Sequence, residues 1–443
     1  MTTEDLPGYR GRLRQLLEAS KLKIGDIVCL NTGGNSYDGV LMPRVETADE
    51  IHVILKQSTG YNIGIRYQSD LIIEKVGEAE KPEFKPPPLP ESKPNLPKVS
   101  IISTGGTIAS RVDYITGGVY AAMSSRDLLS IVPELADIAQ IEADILYSVF
   151  SENINSDHWT GMARRVAEKI RQGADGIVIT HGTDTMGYST AALSLAIQNL
   201  PVPIVFVGSQ RSSDRPSSDS ATNLVAAVNC AVHAPFAEVV LGMHQGTSDD
   251  VIVFHRGTKV RKCHTSARYA FRSVNIDPIA SFENGKIKLN TQNYRKRSDT
   301  EPILKEKFEK QVALIKFYPG FNPIVIDTLI DAGLKGLVIE GTGLGHVSEA
   351  CYDAIERAHA NGVLLCMTSQ CIWGRVNMNV YNMGRELMRR GVEPLDDMLP
   401  ETAYVKMMWS LGNASNHDEA RSLLKMNIAG EFVDRTPYAW RCG

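Results

Sequence analysis

Apolar runs of strand length alternate with amphipathic stretches along the chain after residue 97. The runs are rich in β-branched residues and lie at 98–103, 176–180, 204–208, 238–242 and 251–254. Apolar positions at helical spacing predict helices at 157–172, 185–198 and 217–232. Strands alternating with helices predict a parallel sheet covered on both faces, with ligands bound beyond the carboxyl ends of its strands.

The first eighty residues have a different pattern. Leucines at helical spacing predict one short amphipathic helix at 10–20. Five short strand-like runs follow between residues 26 and 76, separated by turn residues. Five short strands in so little chain predict a small antiparallel β-barrel.

Two polar segments divide the chain. Seven of the seventeen residues at 81–97 are proline, which predicts an extended linker because proline fixes φ and lacks an N–H group. The polar segment 291–310 is interpreted as a second linker. Beyond it, apolar runs and amphipathic stretches again alternate, which predicts a smaller α/β domain at 311–443. The expected order is a helix and barrel at 1–80, a linker at 81–97, a parallel-sheet domain at 98–290, a linker at 291–310 and the smaller domain at 311–443.

In the smaller domain, strands are predicted at 312–317, 334–339 and 363–367, and helices at 324–332, 348–360 and 403–411.

Composition narrows the class of protein. The 443 residues carry a net charge of −4, with 43% hydrophobic and 22% charged residues, which is ordinary globular usage. The N-terminus has no basic, apolar pattern of a secretory signal, and no window is apolar enough for a membrane span. The seven cysteines are scattered without a CxxC pair, so reduced thiols in a cytoplasmic protein are expected rather than disulfides or a zinc site.

Glycines and hydroxyl groups follow two of the predicted strands, at 103–110 and 180–187. The first segment does not fit a phosphate-binding loop, because it has neither the GxxxxGK[ST] spacing nor the lysine of that motif. A tight turn with capping threonines remains the structural alternative. In the second segment Thr183 lies beside Asp184, and a threonine hydroxyl needs a positioned base to act as a nucleophile. Lys262 follows another strand and could be that base, or it could be an ordinary solvated lysine.

Three motifs together resemble the L-asparaginase/glutaminase family of threonine amidohydrolases. They are Thr-Gly-Gly-Thr-Ile-Ala at 104–109, His-Gly-Thr-Asp-Thr-Met at 181–186, and the run 262–275 that ends in Phe-Arg-Ser-Val-Asn. The resemblance covers roughly residues 98 to 435. It implies an enzyme that hydrolyses a side-chain amide without a metal or organic cofactor.

The resemblance also implies roles for particular residues. Thr107 is the implied nucleophile, and Thr183, Asp184 and Lys262 form the implied triad that moves protons.

Gly106, Gly182 and Ser151 are the implied substrate-binding positions, and Glu152 is a weaker candidate for the same role. Asp184 is a further candidate for the α-ammonium group of the substrate.

A tyrosine on a mobile loop assists the nucleophile in this family. Tyr114 and Tyr120 both lie in the corresponding segment, with Tyr114 preferred and Tyr120 left open.

The N-terminal barrel, the proline-rich linker and the segment 369–381 give a narrower resemblance to the amidohydrolase subunits of archaeal tRNA-dependent amidotransferases. This resemblance implies an E-type partner subunit that binds ATP and Mg²⁺ and converts Glu-tRNA(Gln) to Gln-tRNA(Gln) with the released ammonia. It implies tRNA(Gln) binding through the complex and a homodimer within a heterotetramer. The resemblance implies that the glycine-rich segment 341–346 closes the active site of a neighbouring subunit. Its GxGxG spacing differs from the GxGxxG of a dinucleotide fingerprint, which argues against a nicotinamide site there.

Two other functions are compatible with the sequence. One is a free-standing L-asparaginase with an appended barrel, which the linker and barrel argue against. The other is a non-catalytic scaffold or RNA-binding subunit. The presence of all four implied catalytic residues and the slightly acidic charge argue against that function. The preference for glutamine or asparagine is also open, because one methylene changes binding by only about 1–3 kcal/mol.

Overall fold

A computed structural model describes residues 6–44, 48–58, 62–78, 93–106, 110–112, 119–121, 128–129, 132–211 and 217–435, with backbone only at 110–112 and 119–121. The chain divides into two compact units. The first comprises Met1–Pro87 and Arg111–Tyr120, and the second comprises Pro88–Ser110 and Ala121–Gly443.

The described residues 6–78 of the first unit contain one helix and one antiparallel sheet. Its elements are α1 (Gly11–Ala19), β1 (Asp26–Thr32), β2 (Asn35–Leu41), β3 (His52–Lys56), β4 (Asn62–Arg66) and β5 (Ile72–Glu78). The sheet order is β4-β3-β2-β1-β5, and Leu13 and Leu17 of α1 are buried in the core of this unit. The predicted helix and five strands are confirmed. The described residues show no pairing between β4 and β5, so closure into a barrel is not confirmed.

The second unit is built around an eight-stranded sheet. Its strands are β6 (Lys98–Ser103), β9 (Gln140–Ile145), β10 (Gly176–Thr180), β12 (Ile204–Val207), β13 (Val239–His244), β14 (Val251–Arg256), β17 (Ala280–Glu283) and β18 (Lys286–Leu289). The order across the sheet is β18-β17-β14-β13-β12-β10-β6-β9.

Five neighbouring strands of this sheet, β9, β6, β10, β12 and β13, are parallel, and β14, β17 and β18 are antiparallel. The α/β fold is therefore confirmed, but the expectation that residues 251–254 extend the parallel sheet is wrong. Only a short loop joins β13 to β14, and a parallel crossover needs a dozen or more residues. The sequence pattern could not reveal the orientation because both kinds of buried strand consist of apolar residues.

The second unit also contains two short two-stranded sheets, which pair β11 (Ile197–Gln198) with β19 (Ile303–Leu304) and β15 (Val260–Lys262) with β16 (Phe271–Ser273). The segment 291–310 thus contains a strand as well as loops. A further short sheet pairs β7 (Ser110–Val112) with β8 (Val119–Ala121), and most of its residues belong to the first unit.

Helices cover both faces of the main sheet through two separate apolar cores. They are α2 (Leu135–Ile138), α3 (Ser156–Arg171), α4 (Met186–Ala196) and α5 (Ser220–His233). The Asn155 side chain accepts hydrogen bonds from the backbone N–H groups of Asp157 and His158, which fixes the start of α3. The three long helices were predicted to within three residues at each end.

The C-terminal part of the second unit alternates strands and helices. Its elements are β20 (Val312–Lys316), α6 (Ile324–Asp331), β21 (Gly336–Gly341), α7 (Tyr352–Ala360), β22 (Leu364–Ser369), α8 (Asn382–Arg389), β23 (Val392–Pro394), α9 (Pro400–Asn413) and α10 (His417–Lys425). The four strands form a parallel sheet in chain order. Three elements, α8, β23 and α10, were not predicted from the sequence. The two helices have eight and nine residues and are rich in polar side chains, and the strand has three residues, so none contains a long apolar run.

No helix within the described ranges is both long enough and apolar enough to cross a membrane. The six cysteines that lie in these ranges are free thiols.

Arg297 closes the C-terminal end of α5. Its guanidinium donates hydrogen bonds to the carbonyl oxygens of Ala231, Val232, Ala234 and Asp175 at 2.6–3.0 Å. The last carbonyl groups of a helix have no partners within the helix, and a cation there also matches the helix dipole. Partial burial lowers the pKa of Arg297.

Replacing Arg297 with Met removes these hydrogen bonds and leaves helix carbonyls without donors. We expect the local free energy of opening of α5 to fall by about 2 kcal/mol, measured by hydrogen exchange of its backbone amides. The control Arg295→Met removes an exposed guanidinium nearby and should change this value by less than about 0.5 kcal/mol. Equal protection in both variants would contradict the assigned role.

Candidate active site

A five-residue turn joins the central strand β10 to helix α4. It begins with the buried His181 and continues through Gly182, Thr183 and Asp184 to Thr185, directly before α4. The Thr185 hydroxyl donates to the backbone oxygen of Ser151 at 2.7 Å, which ties the turn to the loop after β9. The turn therefore lies at the carboxyl edge of the parallel strands, where the sequence placed a ligand site.

Lys262 reaches this turn from the end of β15. Its Nζ donates hydrogen bonds to Thr183 Oγ1 at 2.9 Å and to Asp184 Oδ1 at 2.7 Å. The Lys262 side chain is 14% exposed and the Asp184 side chain is 70% exposed, so the group lies at the floor of an open surface. Three of the four implied catalytic residues are thus brought together, with the lysine in direct contact with the threonine hydroxyl.

Three of the implied substrate-binding residues are packed against one another. Gly106 has φ of +85°, and a Cβ atom there would lie 2.7 Å from the backbone nitrogen of Gly182. A Cβ atom on Gly182 would in turn lie 2.7 Å from Ser151 Cβ. Ser151 is buried in a short 3₁₀ turn at 151–153. Both glycines are required because the loops after β6, β9 and β10 approach each other by their backbones.

The remaining predicted site residues are Glu152, Thr107, Tyr114 and Tyr120. Glu152 is exposed next to Ser151, and no described residue forms an ion pair with it. Thr107 and Tyr114 lie outside the described residues, and the structure gives only the backbone of Tyr120. In the described part of the chain, no three His, Cys, Asp or Glu side chains cluster to hold a metal ion.

Ion pairs with the C-terminal part of the unit hold the strand that carries Lys262 near the start of β15. Lys259 Nζ lies 2.6 Å from Asp397 Oδ2, and both side chains are 0% exposed. Burial lowers the pKa of Lys259, and the Asp397 carboxylate opposes that shift. Arg261 pairs with Glu401 at 3.1 Å. These contacts fix the strand at two residues that precede Lys262.

The hairpin containing β15 and β16 also has hydrogen bonds to the loop after β22. Asn275, at φ of +63°, donates from Nδ2 to the backbone oxygen of Gly374 at 2.8 Å and accepts from the Gly374 N–H at 2.9 Å. Asparagine tolerates this left-handed conformation better than most residues. The motif residue Asn275 thus has a structural partner in the segment 369–381.

Three buried residues without a role predicted from the sequence, His181, Ser189 and Trp159, are joined by hydrogen bonds. Trp159 Nε1 donates to Ser189 Oγ at 3.0 Å, Ser189 Oγ lies 2.8 Å from His181 Nε2, and His181 Nδ1 lies 2.6 Å from the Gly182 oxygen. Burial lowers the pKa of His181 to about 4, so its ring is neutral near pH 7. The only available sequence signal was the position of His181 directly before Gly182, because Trp159 and Ser189 belong to different helices.

Three family models match the chain. The model described as Asparaginase, N-terminal, matches residues 98–295, the Glutaminase/Asparaginase C-terminal domain matches residues 311–424, and the GatD N-terminal domain matches residues 22–76. Together they cover most of both units.

Similar curated proteins extend over the whole chain. The D subunit of the glutamyl-tRNA(Gln) amidotransferase of Pyrococcus abyssi is 48% identical over 433 residues, covering 96% of this chain and 98% of that protein. The protein of the same name from Methanothermobacter thermautotrophicus is 47% identical, covering 98% and 99%.

Similar solved structures cover a smaller share of this chain than the curated proteins do. The thermostable L-asparaginase from Thermococcus kodakarensis has a TM-score of 0.69 and 30% identity, covering 76% of this chain and 99% of that one. L-asparaginase I from Vibrio cholerae has a TM-score of 0.68 and 26% identity, covering 76% and 99%.

The substitution Lys259→Met leaves Asp397 buried without its ion partner. We expect the free energy of unfolding to fall by about 3–5 kcal/mol, measured by urea denaturation. The control Lys310→Met breaks an exposed ion pair with Asp157 and should cost less than about 1 kcal/mol. Similar losses in the two variants would show that the Lys259–Asp397 pair does not hold the hairpin.

Proposed function

Because the chain belongs to the family of glutamyl-tRNA(Gln) amidotransferase D subunits, which has the asparaginase fold, we propose that it hydrolyses the side-chain amide of glutamine or asparagine and supplies the ammonia to a partner subunit. The match of residues 22–76 to the GatD N-terminal domain favours this function over a free-standing asparaginase. The L-asparaginase structures cover only 76% of the chain.

One observation carries the catalytic part of the proposal. Lys262 Nζ contacts Thr183 Oγ1 at 2.9 Å and Asp184 Oδ1 at 2.7 Å. A lysine in this position can exchange a proton with the threonine hydroxyl while the carboxylate keeps it oriented. The arrangement provides a proton relay at the edge of the sheet, and it requires no metal ion.

The proposed reaction begins with attack of the Thr107 hydroxyl on the amide carbon of the substrate. The resulting tetrahedral intermediate carries a negative oxygen, which the backbone N–H of Thr183 can stabilise with a second donor near Gly106. Ser151 and the exposed carboxylate of Asp184 are the candidate contacts for the α-carboxylate and α-ammonium groups, with Glu152 as a further candidate. Tyr114, or alternatively Tyr120, is proposed to assist Thr107.

Collapse of the intermediate breaks the carbon–nitrogen bond. Lys262 delivers one proton through Thr183 to the amide nitrogen, which leaves as ammonia, and the acyl group stays on Thr107 as an ester. The proton lost by the Thr107 hydroxyl during its attack returns to Lys262 and restores the relay. Water then attacks the ester, releases glutamate or aspartate and restores the threonine hydroxyl. Substrate amide and water are consumed, and the acid and ammonia are formed.

The proposed partner is the E-type subunit of the amidotransferase. In this assembly ATP and Mg²⁺ bind the partner, tRNA(Gln) binds through the complex, and this chain needs no cofactor of its own. We propose a homodimer of this chain within a heterotetramer, acting in the cytoplasm.

Lys262→Met is the sharpest test of the relay. It removes the ammonium group with little change in volume, and we expect ammonia release to fall by about 1,000-fold, measured as kcat with glutamine and with asparagine. Thr183→Val should cause a similar loss. The control Lys335→Met breaks an exposed ion pair with Glu309 and should leave kcat within twofold. Near-normal hydrolysis by Lys262→Met would refute the mechanism.

The amidotransferase role predicts coupling between the two kinds of chain in the complex. Ammonia release by the wild-type chain should be slow alone and should rise at least tenfold when the partner subunit and Glu-tRNA(Gln) are added. Fast release that is unchanged by these additions would indicate a free-standing asparaginase. No release under either condition would indicate a non-catalytic scaffold.

A further inference from the structure

A chain of three buried side chains ends at the backbone of the active-site turn. It runs from Trp159 on α3 to Ser189 on α4, then to His181 and the Gly182 carbonyl, through the hydrogen bonds described above. The three side chains are 5%, 0% and 1% exposed, respectively. Water therefore does not compete for these bonds, and each group depends on its neighbour in the chain.

The groups at the two ends of this series of hydrogen bonds, an indole N–H and a carbonyl oxygen, determine which atom donates in each bond. The indole N–H of Trp159 can only donate, so Ser189 Oγ accepts from it and has its own proton free to give to His181 Nε2. The Gly182 carbonyl can only accept, so His181 must carry its proton on Nδ1. The lowered pKa of His181 supports a single proton on the ring at neutral pH.

This bond also orients the next N–H group. The peptide bonds among the described residues are all trans, and the C=O and N–H of a trans peptide point in opposite directions. With its carbonyl held by the His181 ring, the peptide between Gly182 and Thr183 turns the Thr183 N–H away from that ring. No described residue accepts a hydrogen bond from this N–H group.

We propose that His181 is a positioning residue: held by Ser189 and Trp159, its ring fixes the Gly182 carbonyl so that the Thr183 N–H faces the oxygen of the reacting amide. The inference rests on the proposed amidohydrolase function and adds the device that preorganises its oxyanion donor. A donor fixed before the reaction stabilises the negative oxygen without reorganisation. Loss of this positioning should therefore lower kcat and leave KM nearly unchanged.

The first test is the tautomer of His181 in the wild-type chain, measured from the ¹⁵N chemical shifts of histidine-labelled protein at pH 7. The spectrum of His181→Phe identifies the His181 signals among the ten histidines. The proposal requires the proton on Nδ1, and a proton on Nε2 would overturn it. This result does not depend on enzymatic activity, so it is separate from a failure of the proposed function.

The second test separates positioning from folding. Ser189→Ala removes the donor to His181 Nε2, and we expect kcat to fall about tenfold with KM changed by less than twofold. Ser189→Thr keeps a hydroxyl group and should recover most of kcat. The matched control is Ser194→Ala on the same helix, whose hydroxyl donates to the Thr190 carbonyl, and it should leave kcat unchanged.

Trp159→Phe extends the test to the far end of the chain of hydrogen bonds and should lower kcat by about threefold at constant KM. All variants are assayed under the condition in which the wild-type protein releases ammonia fastest. Unchanged kcat in Ser189→Ala and Trp159→Phe, or equal changes in kcat and KM, would overturn the proposal. If Ser189→Ala does not fold, Trp159→Phe and the wild-type tautomer still decide the question.

Discussion

The hydrogen bonds of Lys262 to Thr183 and Asp184 are the contacts on which the candidate site depends. They join two segments that are 78 and 79 residues apart in the sequence. An ammonium group in contact with a threonine hydroxyl can serve as a proton relay only if both backbones are held rigidly. The packing around the site is consistent with this requirement, because each of the two segments has its own buried anchor.

The two anchors differ in their chemistry. The lysine strand is fixed by the buried Lys259–Asp397 ion pair, which links it to the C-terminal part of the unit. The threonine turn is fixed by the neutral hydrogen bonds of His181 and by the Thr185 contact to Ser151. Burying two charges costs free energy, but removing one partner costs much more, because it leaves the other charge buried and unpaired. The pair therefore resists displacement of the strand. The proposed catalytic geometry thus depends on parts of the fold that do not touch the substrate.

The sequence predicted a large share of the fold, because apolar runs and helical spacing mark buried strands and long helices directly. The prediction failed for short elements and for strand direction, which the pattern of apolar residues does not show. The antiparallel direction of β14 follows from a short connection, and α8 and α10 are short helices rich in polar residues. For the site, the motifs identified Thr183, Asp184 and Lys262, and the structure brings these three together. The Lys259–Asp397 pair and the Trp159–Ser189–His181 chain could not be predicted, because they connect residues whose proximity arises only from tertiary packing.

The most direct test of the central claim is a crystal structure of the Lys262→Met variant with glutamine bound. The account predicts the side-chain amide oxygen about 3 Å from the Thr183 backbone nitrogen, with the amide carbon facing Thr107 and the α-carboxylate beside Ser151. Glutamine bound with its side-chain amide away from the turn at 181–185 would contradict the account.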